Sequence, residues 1–181
     1  YEYDLLGNLI KQTDAKGQIL EFMYDPLNRL TQKRGKPNAV DPWVTLATYA
    51  YDSTAQPNRI GRLSTVTDPS GSTEFFYDRL GREIRTVKII NGASFTVQRA
   101  YDPLNRLTQL TYPDNTLVRT EYSSQGIRRI TLSLDGGITF SEILSQAQYN
   151  AANETLQLTL GNGTATTFTY DPRTLRIESI R

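Results

Sequence analysis

Short segments rich in Thr, Val, Ile, Leu, Tyr and Phe alternate along the whole chain with small clusters of Gly, Pro, Asn and Asp. Runs such as ILEFMY (19–24), STEFFY (72–77), FTVQRAY (95–101) and RIESI (176–180) are short and dense in β-branched and aromatic residues, so they read as strands. The punctuation between them is turn chemistry: Asp14 to Gly17, Asp68-Pro-Ser-Gly71, Asn91-Gly92, Pro113 to Asn115, Asp135 to Gly137, and Gly161 to Gly163. The stretch SEILSQAQ (Ser141–Gln148) is the one helical candidate, and it stands where neighbouring segments carry a strand. The pattern predicts an all-β chain of roughly fourteen to sixteen short antiparallel strands joined as hairpins.

The polar alternation is clean in places and soft in others. Tyr1, Phe22, Tyr49, Phe75 and Phe168 each lie two residues before another tyrosine, and period two puts both rings on one sheet face. Stacked in register, these rings would form aromatic ladders. Elsewhere RLTQKR and IRTVKII place charges on both faces, which suits a long exposed sheet better than a tightly packed sandwich.

The nonamer YDPLNRLTQ occurs twice, at Tyr24–Gln32 and Tyr101–Gln109. It belongs to a longer series anchored on Tyr3-Asp4, Tyr24-Asp25, Tyr51-Asp52, Tyr77-Asp78, Tyr101-Asp102, Tyr122-Ser123, Tyr149-Asn150 and Tyr170-Asp171. The anchors are spaced 21, 27, 26, 24, 21, 27 and 21 residues apart, so the chain is an array of about eight repeats. Four residues after the tyrosine stands Gly7, Asn28, Gly81, Asn105, Gly126 or Asn153. The third unit has Ala55 there and reaches Gly61 late, as if carrying an insertion; the eighth has Thr174. Gly and Asn are the residues that accept positive φ most readily. Asp at the turn start can bond backbone groups ahead of it, and Pro26 and Pro103 preset φ for a type I turn. Each repeat corner therefore reads as strand end, turn, left-handed residue, strand start.

Composition narrows the function classes. Twenty Lys and Arg against 19 Asp and Glu leave a net charge of +1, with no footprint for nucleic acid or an anionic membrane. The basic cluster Lys33, Arg34 and Lys36 reads as a solvated loop. No apolar run approaches the ~20 residues of a membrane span. With no Cys and no His, disulfide frameworks, nucleophile–histidine chemistry and Cys/His zinc sites are excluded.

The units YDLLGNLIKQTDAKGQ, YDPLNRLTQ, YDRLGREI and TVTDPSG resemble the tyrosine-aspartate repeats of the Rhs/YD family. The resemblance runs over the whole chain, with departures in the second half, where Tyr122-Ser123 and Tyr149-Asn150 lack the aspartate. It implies β-hairpins laid side by side in a curved, spiralling sheet that forms part of a hollow shell. Such shells occur in bacterial polymorphic toxins, the B and C subunits of insecticidal toxin complexes, wall-associated proteins and, more distantly, teneurins. In the toxins the shell encloses a C-terminal effector. The resemblance thus implies a secreted or cell-surface bacterial protein whose partners are the rest of its own shell and an effector domain, with no cofactor.

No enzymatic constellation stands out. The aspartates occupy turn positions that backbone capping explains. Asp68-Pro-Ser-Gly71 matches a string found near the family's self-cleaving domains, but it also falls where each unit has its second turn. Arg29, Arg82 and Arg106 follow the left-handed residue in their units, as Arg62 follows Gly61. They can pair with the turn aspartates and cover tyrosine faces, or form a cationic, aromatic stripe that binds polysaccharide. The leading expectation is a structural shell segment without activity of its own. The alternative is a carbohydrate- or cell-surface-binding array of a wall protein or adhesin. The first and last units lack polar capping repeats, so the chain is expected to be a piece of a longer one, with two unpaired edges.

Overall fold

The structure, a computed structural model, describes all residues from Tyr1 to Arg181. It is all-β: sixteen strands hydrogen-bond in sequence order into one open antiparallel sheet. Ser141–Tyr149 is a strand, so the helical candidate is resolved in favour of the repeat. No helix is long and apolar enough to cross a membrane.

Two compact units divide the chain, Tyr1–Thr96 and Val97–Arg181. The first holds β1 (Glu2–Tyr3), β2 (Leu9–Thr13), β3 (Ile19–Tyr24), β4 (Leu30–Lys36), β5 (Val44–Tyr51), β6 (Leu63–Asp68), β7 (Gly71–Tyr77) and β8 (Glu83–Ile90). The unit boundary falls within β9 (Ala93–Tyr101). The second unit continues with β10 (Leu107–Thr111), β11 (Leu117–Tyr122), β12 (Ile127–Ser133), β13 (Ser141–Tyr149), β14 (Thr155–Leu160), β15 (Ala165–Tyr170) and β16 (Ile177–Ile180).

Within each unit a strand contacts only its neighbours in sequence, as in a repeat array. No second layer covers the sheet, and few side chains are buried: Ala47, Leu117, Leu144 and Ala147 among the apolar ones. The accessible surface is 11870 Å², against roughly 8900 Å² for a compact monomer of this mass. Stability must therefore come from neighbour-to-neighbour contacts across strands. Opposed charges do part of this: Glu21 pairs in register with Arg34, which reaches it at 2.6 Å.

Every repeat breaks register at the same place. The anchor tyrosine pairs with the residue that opens the next strand, and one residue beyond that partner bulges out: Ile10, Thr31, Ser64, Ile84, Thr108, Arg128, Leu156 and Glu178. A bulge at each corner raises the local right-handed twist and re-aims the side chains around the tyrosine.

The insertion in the third unit is held by Arg59, which is 2% exposed. Its guanidinium lies 4.3 Å from the Phe76 ring centroid and 2.9 Å from Glu74. An arginine thus fills a position where a compact protein would place an aliphatic residue.

Candidate functional site

The repeat corners concentrate the polar chemistry, and the second corner shows their construction. Asp25 N–H donates to the Arg29 carbonyl and Asn28 N–H to the Asp25 carbonyl, closing a four-residue turn with Asn28 at φ 62°. Asp25 Oδ1 accepts the N–H groups of Leu27 and Arg29, both at 2.9 Å, and its Oδ2 accepts Arg29 Nε at 2.7 Å. A short side chain that bonds backbone two and four residues ahead fixes the turn, which is why Asp stands there.

Other corners repeat the device with different chemistry. Asp78 and Asp102 accept the same two backbone N–H groups and the Nε of Arg82 and Arg106. Asp4 is met by Asn8 in place of an arginine, at 2.8 Å. In the seventh corner the carboxylate moves to the other partner: Asn150 accepts the N–H groups of Ala152 and Glu154 and donates Nδ2 to Glu154 at 2.6 Å. The second turn at Asp14 uses the aspartate alone, with Gly17 left-handed.

Gly7, Gly81, Asn105, Asn153 and the late Gly61 all have positive φ, between 64° and 85°. Gly126 departs from the expectation: it lies outside the left-handed region. Its glycine answers to space, since a Cβ there would come within 2.9 Å of the Tyr149 ring and hydroxyl. The sixth corner is shorter, closed by Ser123 N–H donating to the Gly126 carbonyl at 2.8 Å. In the eighth, the left-handed residue is Leu175 at φ 56°, one position beyond Thr174, while Asp171 caps Arg173 and Thr174. In the third, Asp52 is itself left-handed and accepts Gly61 N–H at 2.6 Å.

The corners are tied to one another. Tyr24, Tyr51 and Tyr77 donate their hydroxyls at 2.9 Å to the carbonyls of Leu9, Leu30 and Leu63, the residues just past the preceding corner. Tyr122, Tyr149 and Tyr170 do the same to Leu107, Ile127 and Thr155. Arg29 joins its own Asp25 to Asp52 of the next corner at 2.6 Å and lies 4.4 Å over the Tyr51 ring. Arg106 pairs with Asp102, donates to the Ser123 carbonyl at 2.9 Å, and lies 4.5 Å over Tyr122. Asn8 reaches Asn28 at 2.9 Å, and Gln125 reaches the Asn150 carbonyl at 2.6 Å. Arg82 is held by Asp78. The three arginines named from the sequence thus serve corner pairing, and for Arg29 and Arg106 the covering of a tyrosine face.

This construction gives a graded expectation at position 28. Asn28→Gly keeps the turn and loses only the bond from Asn8, so its cost is a few tenths of a kcal/mol, whereas Asn28→Val costs about 1–2 kcal/mol because a β-branched residue resists positive φ. Asn105, at φ 66°, is expected to follow the same order in thermal melts.

The corner carboxyls are held below the ordinary carboxylate range. For Asp25 and Asp102 the main cause is the backbone N–H four residues ahead, reinforced by the arginine; for Asp52 it is the Arg29 guanidinium. Asp4 is lowered chiefly by Asn8, and Asp171 by Thr174 N–H. Burial, in contrast, raises the Tyr51 and Tyr77 phenols. A carboxyl whose folded pKa lies below its unfolded value stabilises the fold above the unfolded pKa. That contribution is lost as pH falls through the folded one. The melting temperature is therefore expected to hold steady down to about pH 5 and to fall below about pH 4. Replacing Asp25 and Asp102 with Asn should flatten the acid limb of the profile.

A sheet of hairpin repeats, with neighbouring corners bonded to one another inside each compact unit, defines a repeat scaffold. The RHS Repeat family profile matches residues 3–40 and 58–94. Double-stranded DNA deaminase toxin A of Burkholderia cenocepacia (strain H111) is 27% identical over 169 residues, covering 87% of this chain and 11% of that protein. The solved TcdB2-TccC3 structure superposes with a TM-score of 0.86 at 19% identity, over 98% of this chain and 10% of that one. TcdB2-TccC3 without its hypervariable C-terminal region gives 0.85, at the same identity and coverage. Two stretches of the chain thus carry the RHS repeat, and the fold over almost its whole length is that of the TcdB2-TccC3 structures. It spans about a tenth of the length of the relatives it matches.

Proposed function

We propose that this chain is a stretch of wall in an Rhs-type shell of a secreted bacterial toxin or toxin-complex protein. Its first partner is the rest of that shell, and the wall encloses or presents an effector domain carried elsewhere in the polypeptide. The observation that carries this reading is the linkage between corners: the polar groups the repeats keep are used to join one unit to the next. The names of the relatives point the same way, one a DNA-deaminating toxin and another a complex described by its hypervariable C-terminal region. This stretch matches 11% of that deaminase toxin, and we assign it the wall and no part of the deamination.

Limited proteolysis of the full-length protein tests the proposal. An enclosed effector should survive protease concentrations that digest the same domain expressed alone. Equal susceptibility in both forms would overturn the enclosing role.

Polysaccharide binding is the second reading, favoured by one feature. An open concavity of about 520 Å³ is lined by residues that include Arg106, Gln109, Arg119, Glu121 and Tyr122, a mixture of planar polar groups and an aromatic ring. If it takes glycans, Arg119→Gln should weaken binding on a glycan array more than any change in melting temperature accounts for, and Arg106→Gln should weaken it while also lowering the melting temperature through the lost Asp102 pair. A lower melting temperature with no glycan bound would assign these arginines to the fold.

A further inference from the structure

We infer that Asn91 is a site of spontaneous covalent modification, where the side-chain amide is lost through a cyclic imide closed onto Gly92. The Gly92 backbone nitrogen gives its proton to solvent base and bonds to Asn91 Cγ. The Cγ–Nδ2 bond breaks, and Nδ2 leaves as ammonia with a proton from water. Water then opens the ring at one of its two carbonyls, giving aspartate or isoaspartate, the latter with one methylene more in the main chain. The net change is asparagine plus water to one of these acids plus ammonia, so no further reactant is needed. Glycine favours the closure because no Cβ stands beside the attacking nitrogen. The chemistry is independent of the proposed shell function.

The chain has two Asn-Gly steps, Asn91-Gly92 and Asn162-Gly163, and both are exposed. The fold treats them differently. Asn162 Oδ1 accepts Thr164 N–H at 3.0 Å, and Gly163 N–H donates to the Leu160 carbonyl at 3.0 Å. The carbon to be attacked and the nitrogen that attacks are each tied to another group, and both ties have to open before a ring closes. Asn91 and Gly92 instead form the two-residue turn between β8 and β9, left-handed at φ 49° and 83°. This is the primed hairpin turn that Asn-Gly favours. Flipping its central peptide converts it to the other primed type and carries ψ of Asn91 to about −120°. There Cβ eclipses the Gly92 nitrogen, the arrangement that a five-membered imide requires. The Asn91 N–H, held by the Ser70 carbonyl at 3.0 Å, takes no part in the flip. Outside the adjacent residues nothing lies within 4 Å of a Cβ placed on Gly92, so the ring has room. Aspartate at the site keeps the turn, since Asp52 is itself left-handed at φ 57°. Isoaspartate lengthens the turn and puts β8 and β9 out of register.

Hydroxylamine, which captures the imide and cuts the chain there, reads the site directly. In the folded full-length protein at mildly alkaline pH, the cut after Asn91 should be roughly tenfold or more faster than the cut after Asn162, because two hydrogen bonds have to open at the second site. In guanidinium chloride the two cuts should proceed at similar rates, which would make the difference a property of the fold and not of the dipeptide. Without hydroxylamine, peptide mass spectrometry of the aged protein should find the gain of one mass unit at Asn91 before Asn162. Equal cutting at the two sites in the folded protein overturns the inference. So does faster cutting at Asn162, and so does a preference for Asn91 that persists undiminished in guanidinium chloride.

Discussion

Tyr51→Ala is expected to destabilise the sheet by about 3–4 kcal/mol, and Tyr51→Phe by about 1 kcal/mol. The difference separates two jobs done by one side chain. The phenylalanine variant loses the hydroxyl bond to the Leu30 carbonyl at 2.9 Å and keeps the ring. Alanine also loses the ring and the guanidinium of Arg29 that lies 4.4 Å over it. Because each unit leans only on its neighbours, this loss is not shared out over a core. Urea unfolding followed by the fluorescence of Trp43, the one tryptophan, measures both variants within the first unit. Equal costs for Phe and Ala would mean that the ring contributes nothing beyond its hydroxyl.

Gly71→Ala should cost on the order of 3 kcal/mol or more, for a reason unlike that at the corners. A Cβ at Gly71 would stand 2.0 Å from the Ile89 carbonyl oxygen, with φ at 150°. Gly71 pairs with Ile90, so the clash can be relieved only by opening the β7–β8 ladder. Gly92 is the control: its φ is 83° and nothing lies within 4 Å of an added Cβ. Gly92→Ala should therefore cost about 1 kcal/mol, the strain of a left-handed alanine. Similar melting temperatures for the two variants would contradict the close approach. Asp68-Pro-Ser-Gly71 is in any case occupied as a turn: Asp68 Oδ1 accepts Ser70 N–H at 2.8 Å and Gly71 N–H at 3.2 Å.

Local features were legible in the sequence. The exchange of Gly and Asn marks the left-handed residues, and Asn28, Asn105 and Asn153 take φ of 62°, 66° and 64°. The position of Asp after Tyr marks the capping carboxylate. What lay beyond reading depends on cross-strand register. Alternation says which face Tyr24 shares with Phe22, but not that its hydroxyl reaches the Leu9 carbonyl fifteen residues back. Thr31 looks like any strand residue, and only its place opposite Met23 and Tyr24 makes it a bulge. Arg29 was legible as a partner for Asp25, but Asp52, its second partner, lies twenty-three residues on. Gly126 misled for the same reason: its neighbour Tyr149 comes from the next repeat.

The central claim is that the anchor tyrosines hold adjacent repeats together through their hydroxyls. The measurement that tests it most directly is equilibrium unfolding of the triple variant Tyr24→Phe, Tyr51→Phe, Tyr77→Phe against the wild type. The three bonds to Leu9, Leu30 and Leu63 predict a loss of about 2–4 kcal/mol with an unchanged far-UV spectrum. An unfolding free energy within error of the wild type would contradict it.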